Sequence, residues 1–357
     1  MNILEQIYEI NFNKINFHER KIRIDNKNTI IKGPPKSGKS YLIYDYLSQY
    51  ENEQYLYIDF NDYKNDKNQI SKYLDDFVVS HSIEVLVLEN FCFDIKIPSL
   101  VTSVIITTLM DNTIDGYETI YLEELDFEEY LLFDIKHQSS SNSFNSFLKF
   151  GNFPEIIEYS ELKKANRNYE ISKLYCDDIV QFKILFLLVK NAGEKKSIFQ
   201  LFTTLKKEIK ISKDRFYKTC EVFEQNKVVY FCEKFEQPKA VKKIFVYNHA
   251  LLDIVSYKKN FNNLFKNMVY LELNKRYKKL YYLDNVDFYL QENDEIILAI
   301  PFFNNLISAN IISKILPSID TYNISMITIV TISTEESIYI GEIEAQVVPF
   351  SNWAVSL

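Results

Sequence analysis

The first third of the chain alternates short apolar runs with segments of helical periodicity. Four apolar runs are typical of buried strands: "NTIIKG", "QYLYIDFND" (Gln54–Asp62), "IEVLVLENF" (Ile83–Phe91) and "SVIITTLM" (Ser103–Met110). Apolar residues recur at helical spacing in "SYLIYDYLSQY" and "QISKYLDDFVVSH". The segment "ETIYLEELDFEEYLLFD" (Glu118–Asp134) predicts a short strand followed by an acidic amphipathic helix. This alternation predicts a parallel sheet with helices on both faces.

The pattern changes after a serine and asparagine cluster, "QSSSNSFNS" (Gln138–Ser146), which we interpret as a linker. The following region is mainly helical. It includes "SIFQLFTTLKKEI", a turn, a helix "KDRFYKTCEVFEQNK" capped by Ser212, and an alternating "VVYFCEKF". Helix, turn, helix and β-ribbon is the outline of a winged helix. The rest of the chain predicts a third, mixed α/β unit: a helix, then paired strands, then a closing series of helix, strand and strand.

Length and composition set limits on the class of protein. The 357 residues suffice for two or three domains, and no apolar run reaches the roughly 18–20 residues of a membrane span. The N-terminus lacks a basic start followed by an apolar block, so we expect a cytoplasmic protein without a membrane partner. The cysteines and histidines form no C-x-x-C or H-x-x-x-H pair, which argues against structural zinc and favours reduced core thiols. These residues are Cys92, Cys176, Cys220, Cys232, His18, His81, His137 and His249.

Charge is unevenly distributed along the chain. The net charge is −8, but the segment from Lys195 to Lys243 has thirteen Lys or Arg against six Asp or Glu. One basic segment therefore lies within an otherwise acidic protein.

The segment "IKGPPKSGKS" (Ile31–Ser40) has the spacing of a phosphate-binding loop, placed between a predicted strand and a predicted helix. Gly33 and Gly38 let backbone N–H groups approach an anion at a helix N-terminus. Lys39 is expected to reach the β and γ phosphates of ATP or ADP, and Ser40 to bind Mg²⁺. The residues predicted to bind the nucleotide are Gly33, Pro34, Pro35, Lys36, Ser37, Gly38, Lys39, Ser40 and Tyr41.

Six motifs in this order resemble a family of bacterial and archaeal AAA-type ATP-binding proteins. That family carries a winged helix and a C-terminal domain resembling a PD-(D/E)XK nuclease. The motifs are "GPPKSGKS", "YLEELDFEEYL", "GNFPEII", "KIFVYNHAL" (Lys243–Leu251), "NVDFYL" and "VVPFSNW", which span almost the whole chain. Only the phosphate-loop motif is specific by itself. The resemblance therefore implies a fold more firmly than a biochemical function.

The third strand departs from the family pattern. Members of the family end it in Asp-Glu, where the aspartate holds Mg²⁺ through water and the glutamate polarises the attacking water. Here the strand reads "VLVLENF", which places Glu89 at the metal and Asn90 at the position of the base. An amide cannot accept a proton, so the base is missing or supplied by another residue. In the alternative register Glu89 is the base and Leu88 stands at the metal.

Two further positions bear on hydrolysis. Thr107 or Thr108, at the end of "VIITT", either contacts the γ-phosphate as a polar sensor or ends a strand because it is β-branched. Arg167, in the helical region that should pack over the nucleotide, is either a phosphate contact or a solvated helix charge. We therefore expect nucleotide binding without fast hydrolysis.

The C-terminal region departs further from an active nuclease. Such nucleases need an aspartate on one strand and Glu-x-Lys on the next. Asp287 is present, but Ala299 and Pro301 stand where the glutamate and lysine would be, and Lys266 occupies a place that is often acidic. We predict that this domain is inactive and that Asp287 is a hydrogen-bonding remnant.

The basic segment has two interpretations. Its cations cluster around the turn and the start of the second winged-helix helix, which would face a DNA backbone. The predicted double-stranded DNA contacts are Lys207, Lys213, Arg215 and Lys218. Winged helices also dock other proteins, and this alternative stays open.

Together these observations predict four segments. Residues 1–137 form a P-loop, AAA-type α/β domain, 138–180 a linker and helical lid, 181–256 a winged helix, and 257–357 a small restriction-endonuclease-like α/β domain. The expected function is an ATP-binding protein with slow hydrolysis, whose nucleotide state is coupled to the other domains. The alternative is a DNA-associated regulator or scaffold with ATP as a structural ligand.

Overall fold

A computed structural model describes residues 3–10, 12, 15, 18–25, 28–108, 110, 112–136, 139–256 and 260–357 of the chain. His137 and Gln138, at the first predicted domain boundary, lie outside these residues. The chain forms two compact units, Met1–Glu123 and Glu124–Leu357. The division into four segments stays a prediction.

The first unit is an α/β structure built on five strands. Its strands are β1 (Asn28–Lys32), β2 (Tyr55–Asp59), β3 (Val85–Glu89), β4 (Ser103–Thr107) and β5 (Glu118–Tyr121). Its helices are α1 (Ile3–Tyr8), α2 (Lys39–Leu47) and α3 (Lys67–Ser80). The strands form one sheet in the order β2-β3-β4-β1-β5, and every pairing is parallel.

Apolar side chains cover both faces of this sheet. Ile30, Leu86 and Ile106 belong to one core, whereas Ile31 and Val87 belong to a second. This separation follows from the alternation of side chains along a strand, and both cores are apolar because neither face is left to solvent. The predicted parallel sheet is therefore confirmed, with strands shorter than the apolar runs that predicted them.

The second unit is a mixed α/β structure. Its helices are α4 (Phe127–Phe133), α5 (Ser140–Phe150), α6 (Pro154–Glu158), α7 (Glu161–Lys173), α8 (Ile179–Lys190), α9 (Ile198–Lys206), α10 (Lys213–Gln225), α11 (Leu251–Val255), α12 (Phe261–Arg276), α13 (Asn305–Tyr322) and α14 (Phe350–Ser356). Its strands are β6 (Val229–Lys234), β7 (Lys243–Val246), β8 (Tyr281–Leu283), β9 (Val286–Leu290), β10 (Glu295–Ala299), β11 (Met326–Thr331), β12 (Glu336–Ile340) and β13 (Ile343–Pro349).

One sheet of eight strands runs through this unit, in the order β12-β13-β11-β10-β9-β8-β6-β7. The antiparallel ribbon β6–β7 follows α9 and α10, as the sequence predicted. Strand β6 also pairs in parallel with β8, through Glu233 and Tyr281. The ribbon and the C-terminal strands therefore share one sheet.

Two predictions from the sequence are wrong in this unit. The predicted linker, Gln138–Ser146, overlaps the start of α5, because Ser139 caps the helix by accepting from the N–H of Asn142 and because Phe144 and Phe147 are buried. The chain also closes with three strands and a helix, not two strands: "VVPFSNW" ends β13 at Pro349 and continues as α14.

The cysteines only partly match the prediction of core thiols. Cys220 and Cys232 are buried, whereas Cys176 is partly buried and Cys92 is exposed. In the part of the chain that the structure describes, no helix combines the length and apolar character needed to cross a membrane.

Candidate functional site

The carboxyl ends of the parallel strands bring several polar side chains to one edge of the first sheet. Strand β1 leads into the loop that precedes α2, β2 ends at Asp59, β3 at Glu89 and β4 at Thr107. In an open parallel sheet this edge is where ligands bind, since the loops that follow the strands all emerge there.

The loop between β1 and α2 requires glycine at its first position. Gly33 has φ 146°, and a Cβ built on it would lie 2.1 Å from the carbonyl oxygen of Leu122. Gly38 has φ 100° and is the N-cap of α2. Lys36 has φ 67°, a left-handed conformation that L residues seldom adopt. The loop therefore holds a conformation that its glycines make accessible, directly before a helix N-terminus.

Lys39, the first residue of α2, folds its side chain over the loop. Its Nζ donates hydrogen bonds to the carbonyl oxygens of Gly33 at 2.8 Å and Pro34 at 2.7 Å. The Lys39 ammonium is thus held at the mouth of the loop, beside the N-terminus of α2, so its positive charge and the positive end of the helix dipole lie together.

A buried arginine supports the other side of the loop. Arg20 donates to the carbonyl oxygens of Ser37 at 2.7 Å and Glu123 at 2.9 Å. The Ser37 side chain is fully buried, and its Oγ has no hydrogen-bond partner within the described residues. A buried hydroxyl without a partner costs free energy, so this atom is suited to meet a ligand.

Ser40 and Glu89, 49 positions apart in sequence, meet at this edge. The Ser40 Oγ donates a hydrogen bond of 2.5 Å to Glu89 Oε1. Glu89 is 7% exposed. Burial raises the pKa of its carboxyl, while the Ser40 hydrogen bond and the charge of Lys39 act to lower the pKa. The sequence named these two residues as the metal-binding pair, and the structure brings them into contact.

Asn90 lies between two strand ends. Its backbone has φ 55°, and its N–H donates to Thr107 Oγ1 at 2.8 Å. Its side-chain Nδ2 donates to Asp59 Oδ1, also at 2.8 Å. Thr107 and Thr108 are both buried, and the Thr108 hydroxyl accepts from the N–H of Met110. Thr107 therefore orients the residue after Glu89.

A cavity of about 390 Å³ opens beside these groups. Ser40, Asp59, Glu89 and Asn90 contribute polar atoms, and aromatic rings close other sides. Tyr44 is one of those rings; burial, the charge of Glu89 and other anionic groups raise its pKa to about 12. The cavity is large enough for a small polar ligand.

The remaining loop positions differ in accessibility. Pro34 is buried and Lys36 is exposed. The Tyr41 side chain is 52% exposed, with its ring 5.7 Å from that of Tyr44. An exposed ring in the first turn of α2 is available for stacking with a flat ligand.

Sequence reasoning missed Asp59 and Arg20 as site residues. Asp59 follows a buried run in a predicted parallel sheet, so its place at the ligand-binding edge was a usable signal. Arg20 precedes the first strand without any motif, and only the folded loop shows that it reaches the Ser37 carbonyl.

Arg167 is engaged within the second unit. Its guanidinium contacts Glu155 at 2.6 Å and Glu170 at 2.9 Å. Hydrogen bonds to these two carboxylates raise the pKa of Arg167. Both ion pairs are local to this helical region, and Glu155 belongs to the "GNFPEII" segment.

The predicted DNA contacts on α9 and α10 are all exposed, but they differ in their partners. Arg215 contacts Asp178 at 2.6 Å, and Lys218 contacts Glu221 at 3.2 Å. Lys213 lies over the rings of Phe199 and Tyr217. Lys213 and Lys207, which follows α9, place positive charge at the turn between the two helices.

Asp287 is held between two lysines in the second sheet. Its Oδ1 lies 2.7 Å from Lys266 Nζ and 3.5 Å from Lys243 Nζ, and its Oδ2 accepts from the N–H of Ala299. Burial acts to raise the pKa of this carboxyl, but the two lysines lower it below its ordinary value. Asp287 is thus a hydrogen-bonded anion, the arrangement that the sequence predicted for it.

Among the residues that the structure describes, no group of three or more His, Cys, Asp and Glu side chains lies in an arrangement that would hold a metal ion. A bound metal in the first unit would therefore need ligands from a second molecule, such as phosphate oxygens, besides Ser40 and Glu89.

No protein-family model matches the chain. The chain is similar to an uncharacterized protein of Methanocaldococcus jannaschii, with 23% identity over 395 aligned residues that cover 93% of this chain and 89% of the relative. The similarity extends over both units, and it carries no assignment of activity.

Proposed function

We propose that this protein binds ATP or ADP with Mg²⁺ at the edge of the first sheet, as an AAA-type P-loop protein, and hydrolyses ATP slowly. The observation that carries the proposal is the 2.5 Å hydrogen bond from Ser40 Oγ to Glu89. It joins the last residue of the phosphate-loop motif to a carboxylate at the end of a neighbouring buried strand, as Mg²⁺-nucleotide chemistry requires.

The loop is suited to phosphate by both shape and charge. The space that a Cβ on Gly33 would need is occupied by the Leu122 carbonyl, so a side chain cannot fill the cradle. The unpartnered Ser37 Oγ supports the presence of a ligand. Lys39 would exchange its bonds to two loop carbonyls for phosphate oxygens, which bind an ammonium more strongly than neutral carbonyls do.

Ser40 and Glu89 are the residues that would hold Mg²⁺. When bound, Mg²⁺ neutralises charge on the β and γ phosphates. Glu89 has little exposure and a raised pKa, so it gains from a nearby cation. Its bond to Ser40 supports the register with Glu89 on the metal side and Asn90 in the position of the base.

Asn90 removes the base from its usual position, which favours slow hydrolysis. Its amide orients a water by hydrogen bonding but cannot take the water's proton. Proton transfer by a positioned side chain typically contributes about 10²–10⁴ in rate, so the protein must lose that factor or supply it from elsewhere.

For the second unit we propose a winged helix followed by an inactive nuclease-like domain, with the nucleotide state coupled to both. The order α9, turn, α10 and β-ribbon supports the first part. The engagement of Asp287 by Lys243, Lys266 and the Ala299 N–H supports the second, because it leaves that carboxylate paired with cations.

Nucleotide binding is tested by thermal unfolding with and without ADP and Mg²⁺. Wild-type protein is expected to melt higher with the ligand, since a ligand that binds only the folded state stabilises it. Lys39→Ala should lose this shift. Lys72→Ala on α3, which removes an exposed lysine from the same unit, should keep it. An equal shift in Lys39→Ala would overturn the proposed site.

A further inference from the structure

Asp59 ends β2 beside the residue that ends β3. The two strands pair in parallel, with Asp59 opposite Glu89. The Asp59 Oδ1 accepts from the Asn61 N–H at 2.9 Å and from Asn90 Nδ2 at 2.8 Å, and its carbonyl oxygen accepts from Asn65 Nδ2 at 2.7 Å. A half-buried carboxylate is therefore fixed in the cavity that Ser40 and Glu89 also line.

These contacts also fix the orientation of the Asn90 amide. The Asn90 N–H is held by Thr107 and its Nδ2 by Asp59. Because an amide group is planar, directing its nitrogen at Asp59 turns its carbonyl oxygen the other way, where it can accept a hydrogen bond from water. Asn90 is thus a positioned acceptor beside a carboxylate.

Glu89 is less suited to act as the base. Its Oε1 accepts the short bond from Ser40, and the two residues are the proposed metal pair. Asp59 ends the adjacent strand, and its hydrogen bonds are with Asn61, Asn65 and Asn90. Glu89 and Asp59 therefore have different hydrogen-bond partners, which suits Glu89 to metal binding and Asp59 to accepting a proton.

We propose that Asp59 is the general base for ATP hydrolysis and that Asn90 positions the attacking water. This inference rests on the proposed function. The water oxygen bonds to the γ-phosphorus, the bond from that phosphorus to the β–γ bridging oxygen breaks, and its electron pair leaves with ADP. The proton lost by the water passes to the Asp59 carboxylate and then to solvent.

The test is Asp59→Asn in the full-length protein. Asparagine keeps an oxygen acceptor for the Asn61 N–H and for Asn90 Nδ2, so the local structure is retained while the basic oxygen is lost. We measure phosphate release under saturating ATP, the Kd for a fluorescent ADP analogue, and the melting temperature. The control is Asp76→Asn, which removes an exposed carboxylate from α3, outside the cavity lining.

The expected result is a loss of about 100-fold in kcat, with the Kd unchanged within about twofold. Asp76→Asn should match the wild type. Unchanged phosphate release in Asp59→Asn overturns the assignment while the proposed function stands. Loss of ADP binding or folding in Asp59→Asn assigns Asp59 a structural role and also overturns it. Wild-type protein that binds ADP but releases no phosphate overturns the base and the proposed slow hydrolysis, while the nucleotide site stands. Wild-type protein that binds no nucleotide overturns both proposals.

Discussion

Replacing Glu89 by glutamine should stabilise the ligand-free protein and weaken its Mg²⁺-dependent binding of nucleotide. Burial raises the pKa of Glu89 in the folded state. The Glu89 carboxyl therefore contributes most to stability at a pH below its pKa in the unfolded chain. This contribution is lost as the pH rises through its pKa in the folded protein. Above its folded-state pKa the ionised carboxylate destabilises the ligand-free protein, and glutamine removes the charge while keeping an oxygen acceptor for Ser40.

Glu89→Gln is expected to raise the stability of the ligand-free protein and to lower the stabilisation that Mg²⁺ and nucleotide provide. Single stabilising substitutions commonly add about 0.5–2 kcal/mol, and we expect Glu89→Gln to fall in this range in the ligand-free protein. Losing a group that supports a metal typically costs about 10–100-fold in affinity. If ADP and Mg²⁺ are present at about 100 times the wild-type Kd, the ligand stabilises the wild type by about 2.7 kcal/mol. After a 100-fold loss of affinity, the same ligand would stabilise Glu89→Gln by only about 0.4 kcal/mol.

Differential scanning calorimetry with ADP, in Mg²⁺ and in a chelator, measures both effects. At about 4 °C per kcal/mol, the Mg²⁺-dependent shift should fall from about 11 °C to about 2 °C. Glu84→Gln is the control, since Glu84 is exposed and lies just before the same strand. A full Mg²⁺-dependent shift in Glu89→Gln would refute the metal-side role. Intact binding with abolished phosphate release would instead make Glu89 the base.

Three further predictions concern the loop, the basic surface and a buried carboxyl. Gly33→Ala should lower the free energy of unfolding by about 1–3 kcal/mol in urea denaturation, because its Cβ would meet the Leu122 carbonyl; Gly116→Ala, with open space around the Cβ, should cost less. If the winged helix binds duplex DNA, Lys207→Glu with Lys213→Glu should flatten the salt dependence by about 1.8 in log–log slope, and the DNA should stay uncut with Mg²⁺ or Mn²⁺; binding that ignores salt would contradict this. Burial and the charge of Asp126 raise the pKa of Glu272 to about 7 from 4.5, so the contribution of Glu272 to stability should be lost as pH rises through about 7. Urea unfolding should therefore show a free energy of unfolding lower by about 3 kcal/mol at about pH 8 than at about pH 5, and Glu272→Gln should remove this difference.

The local chemistry of the chain determined most of the first unit. Apolar runs of about five residues predicted the strands, since a strand buried on both faces needs apolar side chains at every position. The spacing in "GPPKSGKS" predicted the loop, because only glycine fits the backbone next to Leu122. The same reasoning failed at Gln138–Ser146, where composition suggested a linker but Ser139 and the buried phenylalanines form a helix.

The tertiary structure decided which polar groups meet. Ser40 and Glu89 are 49 positions apart, and Asp59 and Asn90 are 31 apart. The motifs named Ser40 and Glu89 together through the family resemblance, but nothing in the local pattern pairs Asp59 with Asn90, because contact depends on the order of strands in the sheet. Placing β2 beside β3 in parallel brings Asp59 to Asn90. Strand order reflects how whole faces pack, which depends on side chains far apart in the chain and cannot be worked out from any one segment.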